Sequence, residues 1–364
     1  MVFVTQNLAP FRVQWLNELG KYIDIKIFHL NDYDSTVNAK YLSFVTDNLE
    51  IDDNYSKIGK YKFFKVSKIL KEKADLLMLD GYGFIGQVVL IMILKLLGKK
   101  FYISVDGGFI NKNEKRIRGI LKRFCINSAK GFFSTCEETD KFISYYAKKD
   151  VVLYRHYFSS IYSDDICRIT PEEKEYFKKK YDLQDKFVVI AVGRFIHIKG
   201  FDILLKAAKI AENDICFVFV GGKPTEEYND LIKGISSENV RFIDFLDKEK
   251  LKEYYFASDI FAMPSRGDIW GLVIGEAMAY GLPVLSSDTC IAGLAMVKDG
   301  ENGYIISGED PKEYYSKVLE LKNNKDLYNS MVENSFNSIQ KYAIDISVKN
   351  DLNNINEILN RKVK

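Results

Sequence analysis

Two successive series of short apolar runs constrain this 364-residue chain more than any other feature. The first series is Met1–Thr5, Ile23–Phe28, Asp75–Leu79, Phe101–Val105, Gly131–Thr135 and Val151–Tyr154. The second is Phe187–Val192, Ile215–Val220, Val240–Ile243, Asp259–Met263, Pro283–Ser287 and Gly303–Ile306. Helical patterns such as Phe11–Gly20 and Phe201–Ala211 separate the runs, and that alternation predicts parallel strands joined by right-handed crossovers. The fold class is therefore α/β, with two Rossmann-like doubly wound domains facing one another across a cleft. The length suits two domains that each bury a core. We place the first over residues 1–165, the second over 166–345, and a final helix over 346–364. The charged stretch from Phe158 to Lys186 is the connection; within it, Thr170-Pro-Glu-Glu reads as a helix start with Pro at the first position. Residues 32–62 are polar and irregular, and their elements are not placed.

Formal net charge is +2, which argues against a dedicated nucleic-acid binder. The halves differ, at about +7 over residues 1–170 and about −5 over the remainder. A basic first half suits an anionic surface or a pyrophosphate-linked partner; a solvated lysine-rich surface gives the same count. Cys125, Cys136, Cys167, Cys216 and Cys290 include no Cys-x-x-Cys pair, so neither a zinc site nor a disulfide framework is indicated. With no cleavable signal at Met1, a reducing cytoplasm is expected. Phe84–Leu97 is strongly apolar but interrupted by Gln87 and Lys95, and it is too short for a bilayer span.

Residues 268–288 carry the chemistry. Asp268 ends a loop, Trp270 and Gly271 open a helix running to about Tyr280, Gly281 stops it, and Pro283 leads into a buried strand. Asp268 and Glu276 stand eight residues apart, one before the helix and one about two turns inside it. Gly271 and Gly275 leave room for a ligand against the backbone, and free amides at a helix start suit an anion. Upstream, Gly193-Arg194-Phe-Ile-His-Ile-Lys199-Gly200 joins a strand to a helix and sets two cations at the C-terminal edge of a parallel sheet, where open α/β folds bind ligands. A diphosphate needs such neutralisation as charge accumulates on a leaving nucleotide. Glu276, among Ala277, Met278 and Ala279, needs a partner, and the vicinal hydroxyls of a ribose can both donate to it; a neighbouring lysine is the competing partner.

Over roughly residues 187–306 the chain resembles the retaining glycosyltransferases of group 1 (family 4), which have the GT-B fold. Their pattern is a pair of glutamates separated by seven residues and followed by Gly-x-Pro-Val. Glu276 is the second glutamate and Gly281-Leu-Pro-Val284 the turn, while Asp268 stands at the first position and shortens that arm by one methylene. The resemblance implies that Arg194 and Lys199 hold the donor diphosphate, Glu276 holds the ribose, and Asp268 lies beside the donor sugar as a catalytic carboxylate. Capping of the helix near Trp270 is the competing role for Asp268. Gly222, in Gly221-Gly222-Lys223, permits close approach to a nucleotide or simply forms a turn. Phe245 lies where the family binds the base, and amides around Trp270–Leu272 are open to phosphate or sugar oxygens. The resemblance also implies that the final helix crosses back to the N-terminal domain.

In the N-terminal half, Arg12 is an acceptor-side or phosphate candidate, against a structural salt bridge. Asp106, in Asp106-Gly-Gly, is an acceptor-side group and candidate base, against capping the next turn. His156 ends a strand and is a further acceptor-side candidate, against a satisfied core histidine. Residues 112–124 alternate Lys112, Lys115, Arg116, Arg118, Lys122 and Arg123 with Ile117, Ile120, Leu121 and Phe124. That pattern fits an amphipathic helix on an anionic membrane or an ordinary surface helix. Asp32-Tyr33-Asp34 could hold a divalent cation, but it is read as a loop, because the cationic loop makes a metal unnecessary. The expected activity is metal-independent transfer of a sugar from a nucleotide-diphosphate sugar to a saccharide or lipid-linked saccharide in surface-polysaccharide synthesis. A nucleotide-sugar epimerase of the same architecture and a non-catalytic nucleotide-sugar-binding protein are the alternatives.

Overall fold

A computed structural model of the chain describes residues 1–30, 49–52, 55–58 and 61–361. The chain divides into two compact units, Met1–Ser160 together with Tyr342–Lys364, and Ile161–Lys341. The division falls between Ser160 and Ile161 rather than after residue 165, and the last segment is assigned to the first unit from Tyr342 onward.

In the first unit, β1 (Val2–Thr5), β2 (Ile25–His29), β3 (Leu49–Asp52), β6 (Leu77–Asp80), β7 (Tyr102–Val105), β8 (Gly131–Ser134) and β9 (Leu153–Arg155) form one parallel sheet in the order β3-β2-β1-β6-β7-β8-β9. The hairpin β4 (Tyr55–Ile58) and β5 (Tyr61–Phe64) stands apart as an antiparallel pair. Strand order reverses about β1, which pairs with β2 on one side and β6 on the other. The ends of β1, β6 and β7 therefore lie at the switch point where open α/β sheets bind ligands. Phe3, Phe101, Phe132 and Phe133 are buried in this unit, each contributing about 1.5–3 kcal/mol relative to exposure.

The Ile344–Asn360 helix closes this unit through one buried acid. Asp351 accepts from Trp15 Nε1 at 2.8 Å and lies 3.0 Å from Nδ1 of His156. Asn350 and Asn354 donate to the Arg155 carbonyl, and Ser159 donates to that of Tyr342. The predicted Phe84–Leu97 helix runs Ile85–Leu96, burying Val88, Leu90, Ile91 and Leu94 while Met92 and Leu96 stay exposed. Within the 112–124 pattern the helix begins only at Arg116, and its buried residues are Cys125 and Ile126. Ile117 and Ile120 face solvent beside Arg116 and Arg118. Among the described residues, no helix is long and apolar enough to cross a membrane.

In the second unit, β10 (Phe187–Val192), β11 (Ile215–Val220), β12 (Val240–Ile243), β13 (Ile260–Met263), β14 (Val284–Ser287) and β15 (Gly303–Ile306) form a parallel sheet in the order β12-β11-β10-β13-β14-β15. Every residue of β11 is buried, as a strand covered on both faces requires. The Pro171–Lys180 helix starts where the sequence predicts. Thr170 Oγ1 accepts from the Glu173 amide, and the Glu173 carboxylate accepts from the Thr170 amide. Lys174 and Lys178 of that helix bind the buried Asp259, which also accepts from the Val188 amide and so pins the helix to the sheet. The two lysines outweigh the burial of Asp259 and hold its carboxyl below the usual range.

Candidate functional site

The C-terminal ends of β10, β11 and β12 are stitched together by glycines. The Gly193 amide donates to Val220, and the Gly221 and Gly222 amides both donate to Ile243. Gly221, at φ +126°, has no room for a side chain: a Cβ there would lie 2.4 Å from the Gly193 carbonyl oxygen. Gly222 faces open space. Both residues need glycine for their backbone, Gly222 at φ +131°, but only Gly221 also lacks the space for a side chain, a difference the sequence alone does not show.

The Gly193–Gly200 loop is held from below by Phe195, a buried ring whose centroid lies 5.0 Å from that of Phe201 and 5.3 Å from that of Tyr228. This anchor turns its neighbour Arg194 outward, where the side chain is exposed and makes no ion pair among the described residues. Lys199, at the other end of the loop, points to Asp268; its Nζ donates to Oδ2 at 2.5 Å. Both side chains are about four-fifths buried, at 22% and 18% exposure. Two residues expected at the site for different reasons are therefore direct partners.

Asp268 does not cap the following helix. That helix begins at Leu272, with Gly271 at the cap position and no side-chain cap bond. Asp268 is instead fixed by its backbone, donating to Thr289 and accepting from Ile291, which leaves its carboxylate to take Lys199. Glu276 is partly buried inside the helix and accepts from the Tyr255 hydroxyl at 3.3 Å. Burial, together with the Glu276 charge, raises the Tyr255 phenol well above its usual range, so it stays a donor. Sequence reasoning does not find Tyr255, since nothing within its own stretch marks it.

The two helix glycines have a different use from the one expected. A Cβ on Gly271 would lie 2.6 Å from Cε of Met263, and one on Gly275 would meet Ile339. Their bare faces are filled by protein rather than left for a ligand. Trp270 and Leu272 are partly buried, and Phe245, beyond β12, is 86% exposed.

In the first unit, Arg12 and Asp106 are also partners. Nη2 of Arg12 lies 2.9 Å from each carboxylate oxygen of Asp106 and 2.9 Å from Oδ1 of Asp80. The guanidinium is buried beneath Phe158, 5.0 Å from its ring centroid, so Arg12 is a structural cation and not an accessible phosphate ligand. Asp106 keeps a 31% exposed side chain at the rim. Asp80, which no sequence motif marks, ends β6, accepts from Thr5 Oγ1 and is largely buried. Burial raises its carboxyl above the usual range, and the neighbouring Asp106 adds to this against the pull of Arg12. His156 is 1% exposed, packs edge-on to Trp15 and binds Asp351. The structure thus puts it in the interior, fastening the C-terminal helix. Asp32, Tyr33 and Asp34 lie outside the described residues.

Residues 172–338 match the family model for glycosyl transferases group 1. A 41.2 kDa protein from the cps region of Klebsiella pneumoniae is 27% identical over 73% of this chain and 74% of its own length. A D-inositol 3-phosphate glycosyltransferase of Geodermatophilus obscurus is 30% identical over 45% of this chain, a match spanning only 39% of that relative. Among solved structures, Anabaena HepE, crystallised with UDP, superposes with a TM-score of 0.77 at 15% identity, covering 98% of this chain and 99% of its own. The architecture is that of GT-B glycosyltransferases, two Rossmann-like units with parallel sheets.

Proposed function

We propose that the protein is a group 1 glycosyl transferase, the family whose model residues 172–338 match, and that it transfers a sugar from a nucleoside-diphosphate sugar to a saccharide or lipid-linked saccharide. The observation that carries this reading is the Lys199–Asp268 pair at the sheet edge, flanked by the exposed Arg194 and followed by Glu276 on the next helix. Arg194 is open to bind phosphate at once. Lys199 reaches the diphosphate when it turns from Asp268, and Asp268 then faces the donor sugar. Glu276, oriented by Tyr255, accepts from both ribose hydroxyls. The acceptor hydroxyl attacks on the face the nucleotide leaves, so the configuration is retained. Arg194, Lys199 and the amides of the Leu272–Ala279 helix stabilise the departing diphosphate without a metal.

Asp106 supplies an acceptor-side carboxylate in the first unit, held by Arg12. The exposed Ile117 and Ile120 beside Arg116 and Arg118 support contact with an anionic membrane surface, where a lipid-linked acceptor resides. The Klebsiella relative, from a cps region, supports a role in surface-polysaccharide synthesis, and HepE in complex with UDP supports a uridine donor. The testing experiment incubates the protein with UDP-, GDP-, ADP- and dTDP-sugars in excess EDTA, with and without saccharide acceptors. Nucleoside diphosphate release from one donor, abolished in Glu276→Ala, is the expected result. Absence of both release and nucleotide binding across the panel overturns the reading.

A further inference from the structure

Arg266 lies two residues before Asp268 and meets no part of the chemistry just described, yet every donor it carries is used. Its Nε donates to Oε1 of Glu309 at 2.8 Å, and Nη2 reaches Oε2 of Glu309 at 2.6 Å and Oδ2 of Asp202 at 2.9 Å. Nη1 donates to Oδ1 of Asp202 at 2.8 Å and to the backbone oxygen of His197 at 2.7 Å. A guanidinium has five N–H donors in a fixed plane, and here all five have acceptors. The side chain is 13% exposed. The hydrogen bonds to Asp202 and Glu309 raise its pKa further above an already high value, so it carries its charge at any working pH.

These contacts join two loops. His197 and Ile198 belong to the loop that ends in Lys199, and Asp202 stands in the first turn of the helix that follows. The backbone repeats the join, since the Arg266 amide donates to the Ile198 oxygen at 2.7 Å and Ser265 Oγ donates to the same oxygen at 2.9 Å. Gly200 allows the approach: at φ +67°, an added Cβ would sit 2.0 Å from the Pro264 carbonyl oxygen. The clasp therefore closes next to Lys199 on one loop and next to Asp268 on the other.

We propose that Arg266 is a positioning residue that, through Asp202 and the His197 carbonyl, fixes the distance between the phosphate-binding lysine and the sugar-side carboxylate. The inference rests on the donor-site reading above. A lysine cannot replace it, because one ammonium cannot serve a bidentate carboxylate, a second carboxylate and a carbonyl in one plane. Displacement of a positioned group by about 1 Å is enough to cost on the order of 10²-fold in rate.

The test measures nucleoside diphosphate Kd by calorimetry, donor KM and kcat, and Tm, on the full chain and on Arg266→Lys, Arg266→Ala and Asp202→Asn. Arg168→Ala, which removes another arginine–glutamate pair of the same unit far along the chain, is the control. The expected result is that Arg266→Lys weakens nucleotide binding at least fivefold and lowers kcat at least tenfold, with Tm within a few degrees of wild type. Asp202→Asn should follow it and Arg168→Ala should not. A wild-type Kd and kcat in Arg266→Lys overturn the inference, whether or not Arg266→Ala folds. Failure of the wild-type chain to bind any nucleoside diphosphate overturns the donor-site reading beneath it, a result distinct from normal binding in both wild type and variant.

Discussion

Lys199 and Asp268 are bound to each other, Nζ to Oδ2 at 2.5 Å, across a sequence separation of 69 residues. With the lysine neutralised by the aspartate, phosphate must compete for it. In Asp268→Asn that competition is gone. Nucleoside diphosphate affinity should therefore hold or improve, within about threefold, while turnover falls by about 10²-fold, as when one preorganised group is removed from a transition state. Calorimetry and product release on the same preparation check both halves; a parallel loss of affinity would assign Asp268 to binding alone.

Glu276 should read the ribose, so its loss is seen best by changing the sugar of the nucleotide. Wild type should prefer a ribonucleoside diphosphate to its 2′-deoxy form, and Glu276→Ala should abolish the preference. Hydrogen bonds to a charged acceptor contribute about 1.5–3 kcal/mol. Tyr255→Phe removes one neutral donor to Glu276, so the preference should narrow by about 0.5–1.5 kcal/mol without disappearing.

Asp80 gives a pH-dependent outcome. Its carboxyl is raised in the folded state, so folding takes up a proton there. The stabilisation it provides is complete below the unfolded carboxyl pKa, about 3.9, and is lost as pH rises through the folded value. An asparagine imitates the protonated acid, accepting from Arg12 and donating to Thr5 Oγ1, which in turn donates to the Asn7 carbonyl. Asp80→Asn should therefore be at least as stable as wild type at pH 7 and show a flatter Tm-against-pH curve above about pH 4. A Tm several degrees lower at pH 7 would show that the ionised form is the stabilising one.

Asp351→Ala leaves Trp15 Nε1 and His156 Nδ1 in the interior without their acceptor. The expected cost is about 2–4 kcal/mol, read as a lower midpoint in urea. Nucleoside diphosphate affinity, measured where the variant is folded, should not change, because the residues proposed to bind it belong to the other unit.

Much of the fold is legible in the sequence because strands covered on both faces must be apolar throughout: Phe187–Val192 and Ile215–Val220 are found with the bounds read from the chain, and so are the edge strands Val240–Ile243 and Gly303–Ile306, the former in spite of its partly buried Arg241. Strand β3 and the β4–β5 hairpin are not legible, since Glu50, Lys57 and Lys62 break the apolar signal. At the site, Arg194, Lys199, Asp268 and Glu276 stand out by spacing within short motifs. Arg266 does not, because its carboxylate partners lie 64 and 43 residues away and only the fold brings them together. Likewise, nothing in the Asn7–Arg12 loop announces Asp80 or Asp106. The helix glycines are legible as small residues, but whether the space beside them holds a ligand or Met263 is decided by packing from other elements.

The unit that begins with Met1 is finished by residues from Tyr342 onward. During synthesis the ribosome makes all of Ile161–Lys341 before it makes Asp351. Trp15 and His156 thus wait for their shared acceptor while a whole contiguous unit emerges and has time to form. The order of completion is therefore the reverse of the order of appearance: the unit started second can close first. A chain cut short just after Lys341 therefore carries every residue of the second unit, while the first lacks the whole Ile344–Asn360 helix and, with it, Asp351.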